Sequence, residues 1–164
     1  SIGTCLVKRN VRVITIPWNM SPYRLNKKFD AVVVSNGPGD PTMVPQTIRN
    51  VQELMKRKVP ILGICLGNQI FALAAGGKTR KLKFGHRGQN QPCILVGTKK
   101  CYLTTQNHGF VVSKIPNGFR QWFVNANDQT NEGLIHKHLP IMSVQFHPEA
   151  TPGPIDTEWI FDYF

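Results

Sequence analysis

Pro60-Ile61-Leu62-Gly63-Ile64 is an apolar run that leads without a spacer into Cys65-Leu66-Gly67-Asn68-Gln69. A buried strand that passes directly into a helix through Gly63 and Gly67 must turn sharply at Cys65, the residue between them. The helix predicted to follow carries Ile70, Phe71, Leu73 and Ala74 and stops at Gly76-Gly77. Upstream, Asp30 to Ser35 reads as another strand, its continuous apolar stretch suiting a parallel sheet buried on both faces. Asn36 to Pro41 is a turn-rich loop, and Val44, Ile48, Val51 and Met55 make one apolar stripe of a helix over about 42–58. Arg12 to Ile16 is β-branched and predicts a further strand ended by Pro17, with an irregular connection over Trp18 to Lys28. This alternation argues for an α/β domain with a mostly parallel central sheet.

The second half changes character. Turn signals separate short strands expected around 93–96, 101–105, 110–113, 122–125, 133–136 and 141–145. They form a mostly antiparallel extension that leads back to the sheet. Thr151-Pro152-Gly153-Pro154 then precedes a helix expected to start near Ile155.

The chain has 164 residues, enough for one domain. A hydrophobic fraction of 41 % excludes disorder as its main description. No apolar run approaches the roughly 20 residues of a membrane helix, and Ser1 to Cys5 carries no signal pattern. The expectation is a soluble domain over 1–164, partial and truncated at both ends. The net charge of +11 gathers at Lys56-Arg57-Lys58 and over Lys78 to Arg87. Only Phe84 interleaves the second cluster, so a solvated or interface face is expected rather than a nucleic-acid platform. Cys5, Cys65, Cys93 and Cys101 contain no C-x-x-C pair, which leaves a zinc ribbon unsupported. Reduced thiols in a cytoplasmic compartment are expected.

Gly63-Ile64-Cys65-Leu66-Gly67 has the form G-x-C-x-G, with Cys at the position of an esterase nucleophile. Helix N–H groups pointing at the sulfur favour thiolate, and the Leu66 N–H can donate to an oxyanion. A structural Cys beside packing glycines fits the motif equally well. Gln145-Phe146-His147-Pro148-Glu149 supplies the base that a catalytic thiol needs. His147 moves the proton, and Glu149, two residues on, points the same way and orients the imidazole. Gly37-Pro38-Gly39 lies in the loop after a strand, at the sheet edge where Cys65 also sits and where ligands bind. Thr105 to Phe110 is a polar run that can offer amides to a ligand, with His108 as readily structural as functional. His136 and His138 form an H-x-H without a carboxylate or Cys at ligand spacing, so no metal is assigned.

Together these motifs resemble the class I, triad-type glutamine amidotransferase domain, most closely the glutaminase part of carbamoyl phosphate synthase. G-I-C-L-G and F-H-P-E mark the family generally. R-G-Q-N-Q-P over 87–92, N-D-Q-T-N-E-G over 127–133 and the terminal T-P-G-P-x-D point to the carbamoyl phosphate branch. The resemblance implies a flavodoxin-like three-layer fold. It also implies that Cys65 attacks the side-chain amide of L-glutamine, that His147 relays protons and that Glu149 orients it. The N–H groups of Leu66 and Gly37 would form the oxyanion hole, and Gly39, Gln69, Asn107, Gly109 and Phe110 would hold glutamine. Ammonia would pass to a synthetase domain or subunit, which uses ATP and Mg to make carbamoyl phosphate for pyrimidines or arginine. No cofactor is expected in this domain, and neither nucleic acid nor membrane is an expected partner.

The chain departs from the family in several places. Asn68 stands where the elbow usually has His, outside the triad, so a modest effect is expected. Ser1 to Arg9 resembles the end of the first helix, so the first strand looks truncated and two strand edges would be left unpaired. The C-terminal helix looks cut, and the N-terminal domain that accompanies this glutaminase in the family is not represented. The alternatives are a catalytically weak docking or regulatory module, and an amidotransferase serving anthranilate or GMP synthesis.

Overall fold

The computed structural model describes residues 1–150 and 152–164; Thr151, the first residue of the expected Thr-Pro-Gly-Pro break, lies outside them. Its central sheet has seven strands in the order β1-β2-β7-β6-β5-β3-β4. Strands β1 (Val32–Val34), β2 (Ile61–Ile64) and β7 (Ile141–Val144) run parallel. Strands β6 (Asn131–His136), β5 (Phe119–Asn125), β3 (Lys78–Leu95) and β4 (Cys101–Lys114) continue the sheet antiparallel. A parallel part and an antiparallel extension are thus joined at the β7–β6 pairing.

Period-2 alternation along the parallel strands divides the apolar residues between two faces. Leu62, Ile64, Met142 and Val144 point to one core, which α1 (Ile2–Val7) closes with Cys5 and Leu6 and α4 (Ile160–Tyr163) closes with Ile160 and Phe161. Ile61, Ile141 and Leu134 point to the other, which α2 (Pro45–Lys56) closes with Val51 and Leu54 and α3 (Leu66–Ala74) closes with Ile70 and Phe71. Helices therefore cover both faces in three layers. Arg9 ties α1 to α4 with a two-pronged contact to Asp162, both N···O distances being 2.6 Å.

Several expectations need correction. Arg12–Ile16 adopts no regular structure and is exposed apart from a half-buried Ile16. A β-branched run becomes a strand only where a neighbour accepts its peptide groups, and β1 pairs only with β2 among the described residues. The polar run 105–109 is not a connection between two strands but the middle of β4, which spans both. Its partner β3 begins at Lys78, well before the expected strand at 93, because the ribbon is held by backbone pairing through three register shifts rather than by an apolar face. The last helix starts at Ile160, not near Ile155, which is 70 % exposed and has no core to bury in. The helix expected from 42 begins as a tight turn over Pro41–Met43 and becomes α-helical at Pro45, where the missing proline N–H costs nothing.

Helix α3 crosses β1 so closely that a Cβ on Gly67 would collide with the Val34 carbonyl oxygen. Gly67→Ala should lower unfolding free energy in urea by ~1–3 kcal/mol. Gly3→Ala, in open space, should change it by under ~1 kcal/mol.

Candidate active site

The sharp turn read from the sequence is present. Cys65 is the N-cap of α3 and has φ 57°, ψ −102°, a conformation that non-glycine residues rarely adopt. Its N–H donates to Val144 O at 2.8 Å, which fixes the turn to the end of β7. Gly63 makes room for it: a Cβ there would lie 2.9 Å from the Gly67 backbone and 3.0 Å from Ser143 Cβ. The sulfur sits in front of the first turn of α3, where N–H groups lack helical partners.

Beyond β7 the chain bends at Gln145 and Phe146 and rejoins the sheet at His147, which bridges to Thr105. The buried Phe146 packs edge-on against Phe123, with ring centroids 5.1 Å apart, and anchors the segment in the first core. Its neighbours Gln145 and His147 face the other way, toward Cys65. The His147 N–H donates to Thr105 O of β4 at 2.9 Å, and Nδ1 lies 2.9 Å from Glu149 Oε1. Burial alone would push His147 down. Hydrogen bonding with Cys65 and with Glu149 outweighs it and brings the imidazole up to about 10. A His147 cation beside Cys65 is thereby favoured at neutral pH.

A cavity of about 240 Å³ opens in front of Cys65. It is smaller than the ~300–1,000 Å³ pockets that take drug-sized ligands, and so suits a ligand of amino-acid size. Gly37 and Gly39 line it from the loop after β1, Leu66 and Gln69 from α3, and Asn107, Gly109 and Phe110 from β4. The structure therefore brings together every residue singled out for binding, with Cys65 among them. Pro38, Arg87 and His108 complete the lining.

His108 has a structural part that the sequence left open. Its Nδ1 lies 2.8 Å from Phe110 O and its Nε2 lies 2.9 Å from Gln106 Oε1; both oxygens accept, so a neutral ring donates to one of them. Burial pushes this imidazole down to about 4, so it shapes the wall as a neutral ring. Behind it stands His86, edge-on with centroids 4.9 Å apart. His86 lies 3.2 Å from the fully buried Glu132 and 2.8 Å from Asp128. The Glu132 carboxylate, opposed by burial and helped by Asp128, holds His86 up at about 9. The donor atoms of His86, His108 and Glu132 lie within 4.8 Å of one another, close enough for the three to hold a metal ion, a group that the sequence reading did not single out. His136 is a turn cap: Nδ1 accepts from the N–H groups of His138 and Leu139, both at 3.0 Å. Sequence patterns gave no signal for the His86–Glu132 pair, whose members are 46 positions apart (132 − 86) and meet only through β3 and β6.

All four cysteines are free thiols; Cys5, Cys65 and Cys93 are buried and Cys101 is exposed. Burial pushes the Cys93 thiol far up, which makes it a poor nucleophile. Among the described residues no helix is long and apolar enough to cross a membrane.

The whole chain, residues 1–164, matches the family model for class-I glutamine amidotransferases. It is 54 % identical over 160 residues to the carbamoyl phosphate synthase small chain of Methanocaldococcus jannaschii, which covers 96 % of this chain and 45 % of that one. It is 50 % identical over 164 residues to the multifunctional protein pyr-3 of Neurospora crassa, with 98 % and 9 % coverage. The chain thus spans less than half the length of these relatives. Among solved structures, a protein of Thermoplasma acidophilum described as a GMP synthase component superposes with a TM-score of 0.83 at 24 % identity, covering 98 % of this chain and 83 % of that one. At that identity the likeness speaks for the flavodoxin-like fold alone.

The imidazoles give a direct check. His86 should titrate near 9 and His108 near 4 by NMR, against about 6.5 for an unperturbed ring. The stability that His86 gains from its acids is full below about pH 6.5 and is lost as pH rises through 9.

Proposed function

The chain belongs to the class I glutamine amidotransferase family, and on that premise we propose that it hydrolyses L-glutamine to glutamate and ammonia through a thioester on Cys65. The ammonia is consumed by a carbamoyl phosphate synthetase domain or subunit, for pyrimidines or arginine. One observation carries the reading: the Cys65 elbow opens on an amino-acid-sized cavity, and the same Cys65 is hydrogen-bonded with His147, whose Nδ1 lies 2.9 Å from Glu149.

His147 takes the Cys65 proton, and the thiolate attacks the side-chain amide carbon of glutamine. The developing oxyanion is met by the N–H groups of Leu66, at the start of α3, and of Gly37 in the loop after β1. The His147 cation gives its proton to the departing nitrogen, ammonia leaves, and the acyl group stays on sulfur. Water, deprotonated by His147, then releases glutamate and restores the thiol. Glu149 holds the imidazole in the tautomer and orientation that these transfers need.

Gln69 spends its N–H groups inward, on Phe110 O at 2.9 Å and Gln145 Oε1 at 3.1 Å. Its carbonyl oxygen is left to accept from the α-ammonium of the substrate. Gly39, Asn107, Gly109 and Phe110 hold the remainder of glutamine. Among the described residues lining the cavity, Arg87 is the one with a permanent charge, its guanidinium donating to Phe84 O.

The close similarity to carbamoyl phosphate synthase small chains supports that branch over anthranilate or GMP synthesis. The domain itself needs no cofactor; ATP and Mg belong to the synthetase. We place the protein in the cytoplasm, without a nucleic-acid or membrane partner. Retention of Cys65 speaks against a purely docking module.

Glutamate release should be measured with and without a carbamoyl phosphate synthetase. Turnover that rises with that partner is expected, and a folded protein inert in both conditions would favour the docking reading. Cys65→Ser should abolish turnover and His147→Asn should lower kcat by ~10²–10⁴. Glu149→Gln should lower it less, and Cys101→Ser should leave it unchanged.

A further inference from the structure

Beneath Cys65 lies a chain of buried amides to which the triad assigns no task. Gln145, immediately after β7, is fully buried, as are Asn68 of α3 and Ser143 of β7. Each hydrogen bond in the chain fixes the direction of the next. The Ser143 hydroxyl donates to Asn68 Oδ1 at 2.8 Å, so the NH₂ end of Asn68 faces away from Ser143. That NH₂ donates to Gln145 Oε1 at 3.2 Å, and Gln69 Nε2 donates to the same oxygen at 3.1 Å. With two donors on its carbonyl, the Gln145 amide cannot turn over without opposing N–H to N–H in a site closed to water. Its own NH₂ is therefore directed the other way, and it meets Cys65 Sγ at 3.8 Å.

We propose that Gln145 is a further catalytic residue, whose amide N–H stabilises the Cys65 thiolate. Asn68 and Ser143 are positioning residues that set the direction of that amide. The inference rests on Cys65 being the nucleophile of the reaction proposed above. A thiol sulfur accepts an N–H weakly and a thiolate accepts it strongly. The contact therefore favours the ionised state, and polarisation along Ser143, Asn68 and Gln145 adds to it. It also gives Asn68 a task. An elbow side chain outside the triad still decides which end of Gln145 faces the sulfur.

The other titratable groups around Cys65 are His147 with Glu149 behind it and, across the cavity, His108 and Arg87. None is altered by the variants that test the proposal. The rate at which iodoacetamide alkylates Cys65, read by mass spectrometry of the Cys65 peptide, should be followed against pH in the intact protein. In Gln145→Met, which keeps length and removes the donor, the midpoint should move up by about one pH unit. In Asn68→Ala, which leaves Gln69 as the only donor to Gln145, it should move the same way by a smaller step. Circular dichroism decides which variants are folded, and Asn68→Ala is read alone if Gln145→Met is not. Glutaminase activity of a folded variant should be lost most at low pH and recover as pH rises, which a packing defect would not produce. A midpoint within about 0.2 pH unit of the unaltered protein in a folded Gln145→Met, or in Asn68→Ala read alone, overturns the proposal. Absence of glutamate release from the unaltered protein would count against the glutaminase reading instead, and the alkylation profile would still decide the part played by Gln145.

Discussion

The site depends on one strained residue. Cys65 holds a positive φ of 57° that costs about 1–3 kcal/mol by itself, and the surrounding structure over-determines it. On one side β2 is locked between β1 and β7 and buried on both faces. On the other, α3 is anchored by Ile70 and Phe71 in the second core. Between them the Cys65 N–H is tied to Val144, and two glycines remove the side chains that would push strand and helix apart. A turn left to a flexible loop would relax, and the sulfur would no longer face both the helix N-terminus and His147.

From that point the rest of the site follows from the direction of the strands. Parallel neighbours end at the same edge, so the loop after β1 brings Gly37 and Gly39, the end of β2 brings Cys65, and the exit from β7 brings Gln145 and His147. The fourth wall has a different origin. Asn107, His108 and Phe110 are paired with β3 in a long, partly exposed ribbon, fixed from behind by His86 and Glu132. The parallel part supplies chemistry from rigid strand ends. The antiparallel part supplies a polar wall that a buried ion pair holds against the sheet.

This division also explains what the sequence revealed. The elbow, the two buried strands around it and the stripe of α2 were legible because each is a local pattern with one structural solution. The residues of the cavity were legible through glycines and amides at strand ends, and through the family resemblance. Arg12–Ile16 misled because β-propensity describes a residue's fit to a pleated surface and is silent about whether a neighbouring strand is there. The β3–β4 ribbon was read as fragments because its polar, glycine-interrupted middle shows no alternation, while its stability comes from a ladder of main-chain pairs. His86, Glu132 and Gln145 were invisible as a set because burial and partner choice are properties of tertiary contact alone.

The charge pattern around the sulfur shows why the remaining partners are neutral. A thiolate facing His147 already has one cation, and that cation must later give up its proton to the departing nitrogen. A second cation against the sulfur would deepen the ion pair, making the thiolate a weaker nucleophile and the imidazole a poorer proton donor. The fold keeps such charge away. His108 is held neutral by burial, and Arg87 is exposed rather than packed against the sulfur. Amide dipoles fill the space below, through Gln145, Asn68 and Gln69. An uncharged donor fixed in direction favours the thiolate by a limited amount and leaves the His147–Glu149 pair free to cycle its proton.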